Sequence, residues 1–169
     1  LAGPSVVVAD LVQGGSEAIE ADVVLIATGA RPRVVADAEP DGERILTWDQ
    51  LYNISSIPEH MIVVGSGVTG AEFASAFTSL GSKVSLVSSR DRVLPGEDAD
   101  AAKVLEDVFL RRGMNLLNRS RAQSVRREGD GVVVTLTDGR TIEGSHCLMA
   151  VGSVPNTQKM GLLEAGVAL

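Results

Sequence analysis

The stretch Met61–Gly70, MIVVGSGVTG, decides how the rest of the chain is read. Its first four residues, Met61 to Val64, are a short apolar run bounded by turn residues, the pattern of a buried strand. Gly65, Gly67 and Gly70 then stand in the spacing G-x-G-x-x-G, and AEFASAFTSLG follows as a helix. Each glycine has its own physical reason. Gly65 permits the tight turn off the strand, Gly67 lets a pyrophosphate approach the backbone, and Gly70 lets the helix pack closely on the sheet. The amides of Ser66, Val68 and Thr69 complete the loop, and the helix's positive dipole end faces the phosphates. In a chain with 18 glycines this spacing alone could be a ligand-free turn. The strand before it, the helix of small residues after it and the strand beyond favour a dinucleotide cradle.

Working outward, Lys83 to Ser88 is the next predicted strand, with Gly81 placed to end the helix before it. Asp98 or Asp100 opens a second helix that runs to Arg112. Ala101, Val104, Leu105, Val108 and Phe109 share one face of it, and Gly113 follows as cap. Met114 to Leu117 reads as a third parallel strand. The pattern then changes to short strands at 122–127, 132–137 and 141–143, with turns at 129–131 and 138–139, an antiparallel meander. His146 to Val151 is another buried run. Upstream, Ser5 to Ala9 reads as a strand and Gly14–Gly15 as a turn. Val23 to Ala27 is continuous and apolar, as for a strand covered on both faces. Thr47 is expected to cap a short helix through Tyr52. The order β-α-β-α-β followed by a meander predicts an α/β layered fold around a parallel sheet.

Composition narrows the function. The 169 residues are 44% hydrophobic, enough for a core, and carry a net charge of −7, which argues against nucleic acid and anionic membrane surfaces as partners. No apolar run reaches transmembrane length. The chain starts at Leu1 without a signal peptide and is expected to begin inside something longer and to be cytoplasmic. The single cysteine, Cys147, excludes an internal disulfide and reads as a small core residue. His60 and His146 have no partner constellation for a metal or a triad.

Three blocks together resemble the pyridine nucleotide–disulfide oxidoreductases, flavoproteins with two dinucleotide sites. They are ATGARP at 27–32, GSGVTGAEFA at 65–74 and AVGSVPNT at 150–157, and DRVLPGED at 91–98 is also similar to the family. The nearest relatives look like dihydrolipoamide dehydrogenase and actinobacterial quinone reductases. The resemblance implies a Rossmann-like NAD(P)-binding domain at 46–147, with an antiparallel meander. It also implies strands of an FAD domain on either side: the end of its first segment and a linker at 1–45, and its return at 148–169. It further implies FAD and NAD(P)H as cofactors and a homodimer for the full-length protein. Hydride would pass from NAD(P)H to FAD and on to a disulfide or quinone, with no catalytic residue in these positions. An isolated nucleotide-binding module is the alternative. No FAD fingerprint, Cys-x-x-x-x-Cys redox pair or His–Glu interface pair occurs in these residues.

The resemblance also implies roles. Thr28 and Gly29 match residues that meet FAD, and Gly152 matches the glycine that lets the backbone approach the coenzyme. Ser153 departs from the family's arginine. Glu72, placed on the first helical turn, matches a glutamate near the nicotinamide ribose, or it is simply a favourable acid at a helix start. Asn156 is expected to fix its loop. Coenzyme choice rests on the end of the second strand. NAD-specific folds carry an acid there, about 20 residues beyond the glycines, to accept from the ribose 2′-OH. Ser88 holds that place here, followed by Ser89 and Arg90. A hydroxyl pair plus a guanidinium suits a 2′-phosphate, so NADPH is favoured. Arg90 is otherwise a solvated loop arginine, and a single basic residue leaves NADH use open.

Overall fold

A computed structural model describes residues 1–168 and divides into two units, Leu1–Arg31 with the chain from Val154 onward, and Pro32–Ser153. In the first unit β1 (Val6–Asp10) and β2 (Ser16–Glu20) form an antiparallel hairpin, with Val8 opposite Ala18. Gly14 and Gly15 turn it with φ of +90° and +86°. The chain then runs to β3 (Ala30–Pro32). The expected buried strand at Val23–Ala27 is not formed: Val23 and Leu25 are each 85% exposed. A strand needs a neighbour to take its backbone N–H and C=O groups, and none of the described residues pairs with this run.

The second unit is built on a five-stranded parallel sheet. Its strands are β4 (Ile45–Thr47), β5 (His60–Val64), β6 (Lys83–Val87), β7 (Asn115–Leu117) and, after the meander β8 (Ala122–Glu128), β9 (Gly131–Leu136) and β10 (Thr141–Gly144), the last strand β11 (His146–Met149). The strand order is β4-β11-β5-β6-β7. The chain leaves the unit through β12 (Ser153–Pro155). Between strands lie α1 (Val68–Ser79) and α2 (Ala99–Arg111).

Alternation along the central strands sorts the core into two layers. Met61, Val63, Val84, Leu86 and Leu148 face the helices, packing with Ala71, Ala74, Phe77 and Phe109. Ile62, Val64, Val87, Cys147 and Met149 face the meander, packing with Val125, Val132, Val134 and Leu136. A strand with apolar residues on both faces therefore reads as a continuous run, as Met61–Val64 and His146–Met149 do. Cys147 is fully buried, as expected of a core residue, and burial pushes its thiol pKa far up. Among the described residues no helix is long and apolar enough to cross a membrane.

Two expectations need correction here. Thr47 caps no helix: it ends β4, its Oγ1 donates to Asp49, and the Gln50–Asn53 turn that follows is a 3-10 helix with no side-chain cap. In α2 the buried stripe is Ala102 and Phe109 with Leu105 at its edge, while Ala101 and Val104 lie exposed. The helix contacts the sheet over a narrower arc than its apolar residues span. Its ends match expectation: Asp98 Oδ1 accepts from the amides of Asp100 and Ala101 at 3.0 Å, and Gly113 follows with φ +84°.

Candidate functional site

At the carboxyl end of β5 the chain turns at Gly65, whose φ is +112° and whose N–H donates to Val87 O at 2.9 Å. A Cβ on Gly65 would stand 2.2 Å from the Ala150 carbonyl oxygen, and one on Gly70 would stand 1.8 Å from the Gly65 oxygen. Both glycines are thus fixed by packing. Gly67 differs: a Cβ there would meet nothing within 4 Å. It is the N-cap of α1, with no side chain capping the helix. The first helical bond of α1 is Ala71 N–H to Gly67 O at 2.9 Å, so the amides before it have no partner within the helix. Val68 and Thr69 are exposed beside them. Unsatisfied amides, a positive helix end and open space at Gly67 form an anion cradle.

The strand order gives this cradle its place. From β5 the sheet grows to one side through β6 and β7, and then to the other through β11 and β4. The loop after β5 therefore lies at the switch point, where open α/β sheets leave a crevice. A cavity opens on each side of the glycine loop. One, of about 310 Å³, is lined by Gly65, Val64, Val87, Ser89, Arg121 and Gln123 among others. The other, of about 150 Å³, is lined by Gly67, Val68 and Thr69 with Trp48, Gly152 and Ser153. Gly152, with φ +100°, accepts from the Arg33 amide through its carbonyl at 3.0 Å.

The end of β6 departs from expectation. Ser88 is fully buried, and its hydroxyl lies 2.6 Å from that of Ser66, itself buried in the glycine loop. The same Oγ accepts from the Arg90 amide at 3.1 Å. Ser88 therefore offers no hydroxyl to a ligand. It ties the glycine loop to the loop after β6, and the expected Ser88–Ser89 pair reduces to Ser89, which is exposed on the larger cavity. Arg90, the next residue, is exposed, with its backbone held by Ser88 and by Arg119, whose N–H donates to Arg90 O at 2.7 Å. Arg92 is turned away, donating to the carbonyls of Pro95 and Glu97.

The family model for pyridine nucleotide-disulphide oxidoreductases matches residues 2–169. The chain belongs to that family. It is 61% identical over 156 residues to an NAD(P)H dehydrogenase (quinone) of Mycobacterium tuberculosis, covering 92% of this chain and 32% of that protein. It is 32% identical to a dihydrolipoyl dehydrogenase of Zymomonas mobilis, covering 100% of this chain and 37% of that protein. The crystal structure of LpdA from Mycobacterium tuberculosis superposes with a TM-score of 0.85 at 59% identity, over 96% of this chain and 35% of that one. The chain thus spans about a third of the length of these relatives.

Glu72 is exposed, but it is not on the first helical turn: α1 starts at Val68, so Glu72 opens the second turn and lines a groove between α1 and α2. The helix begins earlier than expected because Gly67 itself serves as N-cap. In the first unit, Thr28 and Gly29 are exposed, and their carbonyls accept from Asn156 Nδ2 at 3.1 Å and Asn156 N at 2.9 Å. Asn156 therefore fixes its loop. His60 Nε2 lies 2.9 Å from Ser85 Oγ and His146 Nε2 lies 3.2 Å from Arg44, with burial holding both imidazoles below their ordinary pKa. No group of three or more metal-ligating side chains occurs among the described residues. Sequence reasoning missed Arg33 and Arg121, which line the larger cavity. Arg121 stands far along the chain from the glycines, and only the fold brings it there.

Proposed function

We propose that this chain is the NAD(P)H-binding segment of an FAD-dependent oxidoreductase that passes hydride from NAD(P)H to FAD and on to a quinone or a disulfide. The observation that carries this is the uncapped α1 N-terminus with open Gly67, set at the switch point between two cavities. In this reading the Gly65–Gly70 loop holds the pyrophosphate through Ser66, Val68 and Thr69 backbone groups. The larger cavity takes the adenosine half, beside Ser89 and Arg90. Gly152 lets the nicotinamide half approach, and Glu72 stands further along α1. Likeness to the mycobacterial NAD(P)H dehydrogenase (quinone) favours a quinone as acceptor. FAD, when bound, supplies the two-electron chemistry; the residues here orient the hydride donor. Thr28 and Gly29 fit a flavin contact, since both are exposed and their loop is held by Asn156. The full-length protein would act as a homodimer in the cytoplasm.

The alternative, a nucleotide-binding module without turnover in any context, is separated by two assays. The 169-residue chain with NADPH and added FAD is expected to bind the nucleotide without oxidising it above the free-flavin background. A longer chain that includes the complete flavin site is expected to reduce a quinone, and failure there with binding intact would favour the module.

NADPH is the favoured coenzyme, because no carboxylate at the end of β6 accepts from a ribose 2′-OH and Arg90 can pair with a 2′-phosphate. Nicotinamide fluorescence titrations at fixed ionic strength are expected to give tighter binding of NADPH than NADH by roughly ten- to a hundredfold, the worth of charge-assisted hydrogen bonds at such a site. Arg90→Ala is expected to lower NADPH affinity about tenfold and leave NADH nearly unchanged. Ser89→Glu is expected to reverse the preference, since a carboxylate in the cavity accepts from the hydroxyl and repels the phosphate. Equal dissociation constants for the two coenzymes in the unmodified chain would remove the NADPH assignment.

A further inference from the structure

Arg121 stands at the head of the meander, just before β8, and lines the cavity that Ser89 also lines. Two backbone hydrogen bonds bring it there. Arg119 N–H donates to Arg90 O and Ser120 N–H donates to Ser88 O, each at 2.7 Å, so residues 119–120 run alongside 88–90. We infer that Arg121 is a coenzyme-selecting residue that binds the 2′-phosphate of NADPH in this cavity, supplying from the meander the second cation that the loop after β6 lacks. The inference rests on the nucleotide-binding reading above.

Charge supports it independently of any motif. The chain has 22 acidic residues against 15 Lys plus Arg, yet the cavity is lined by Arg33 and Arg121 and by no aspartate or glutamate. Arg127 is paired with Glu43 and Asp41, and Arg140 with Asp138, whereas the two arginines at this cavity are not paired. Among the described residues, neither Arg33 nor Arg121 forms an ion pair, and neither guanidinium donates a hydrogen bond. Two unpaired like charges on one concave surface repel each other and raise the local positive potential, a state that a bound dianion relieves. A phosphate monoester carries close to two negative charges at neutral pH and matches the guanidinium fork. The backbone hydrogen bonds of Arg119 and Ser120 hold the segment just before Arg121 against the loop after β6, so Ser89 and Arg121 line one cavity and Arg90, next along the chain, can reach the same ligand group. Burial of Ser88 strengthens the case, because it removes one of the hydroxyls that would otherwise serve.

The test is a titration of the 169-residue chain with NADPH, NADH, adenosine 2′,5′-bisphosphate and 5′-AMP. Arg121→Ala is expected to weaken NADPH and the bisphosphate about tenfold or more, and to change NADH and 5′-AMP by less than about twofold. Arg121→Lys keeps the charge without the fork and is expected to recover part of the loss. Arg126→Ala, an exposed change on β8 outside the cavity, serves as the control and is expected to alter nothing. The affinity loss should shrink as salt rises, since the contact is ionic. Unchanged NADPH affinity in Arg121→Ala, or an equal loss for NADPH and NADH, overturns the inference while leaving the nucleotide site standing. An unmodified chain that binds none of the four probes overturns both.

Discussion

Gly67→Val is expected to abolish nucleotide binding while the fold persists. The fold persists because a Cβ at Gly67 meets no heavy atom within 4 Å, and because its φ of −70° and ψ of −175° are extended backbone open to any residue. The helix keeps its first bond, since Gly67 contributes only its carbonyl to Ala71. Valine is a poorer N-cap than glycine, which costs about 1 kcal/mol at most. Binding fails because the isopropyl group would project where the uncapped amides of α1 would otherwise meet an anion. A displacement of the phosphate by even part of an ångström breaks several charge-assisted hydrogen bonds at once, each worth roughly 1.5–3 kcal/mol. A loss of at least about a hundredfold in affinity follows for NADPH and NADH alike. Circular dichroism melting and a nicotinamide fluorescence titration on the same sample separate the two effects. Unchanged affinity with an unchanged melt would show that the loop does not cradle phosphate.

That a single substitution can be assigned to function and its neighbours to packing says how much of this site was legible beforehand. Met61–Gly70 carries its own signals: an apolar run of strand length, three spaced glycines, then a helix. All of these are local and all are present in the structure. The second helix was equally legible through Asp98 and Gly113, whose chemistry is confined to one turn. The failures share a cause. Val23–Ala27 has the composition of a buried strand, but strand formation depends on a partner that composition does not supply. Ile45–Thr47 is a strand only because β11 lies beside it, and three residues are too few for a periodic signal. The position of Ser88 implies a ligand contact, whereas its hydroxyl is used on Ser66, a pairing across two loops. Arg121 reaches the cavity by hydrogen bonds between segments about 30 residues apart, which no local pattern announces.

Gly70→Ala sets two effects of opposite sign against each other. Gly70 lies inside α1, and replacing a helical glycine by alanine ordinarily stabilises by about 0.5–1 kcal/mol, through lower backbone entropy in the unfolded chain. Here the added methyl would sit 1.8 Å from the Gly65 carbonyl oxygen and 2.9 Å from its carbon. The obstruction is backbone, so no rotamer change relieves it. Gly65 cannot retreat, because its own N–H is bonded to Val87 O and it lies against the Ala150 carbonyl on the other side. The strain must therefore move α1 away from β5, opening the contact of Ala71, Ala74 and Phe77 with Met61 and Val63. Overpacking in a close-packed core costs about 1–3 kcal/mol where side chains can yield, and more where they cannot. A loss of about 3–5 kcal/mol is expected, which outweighs the propensity gain severalfold and removes much of the stability of a domain that has about 5–15 kcal/mol in all. Urea denaturation followed by circular dichroism should show the midpoint falling sharply, with nucleotide binding lost as a consequence of unfolding rather than of a blocked site. A midpoint that stayed level or rose would mean that the close approach of α1 to the Gly65 turn is not what fixes this glycine.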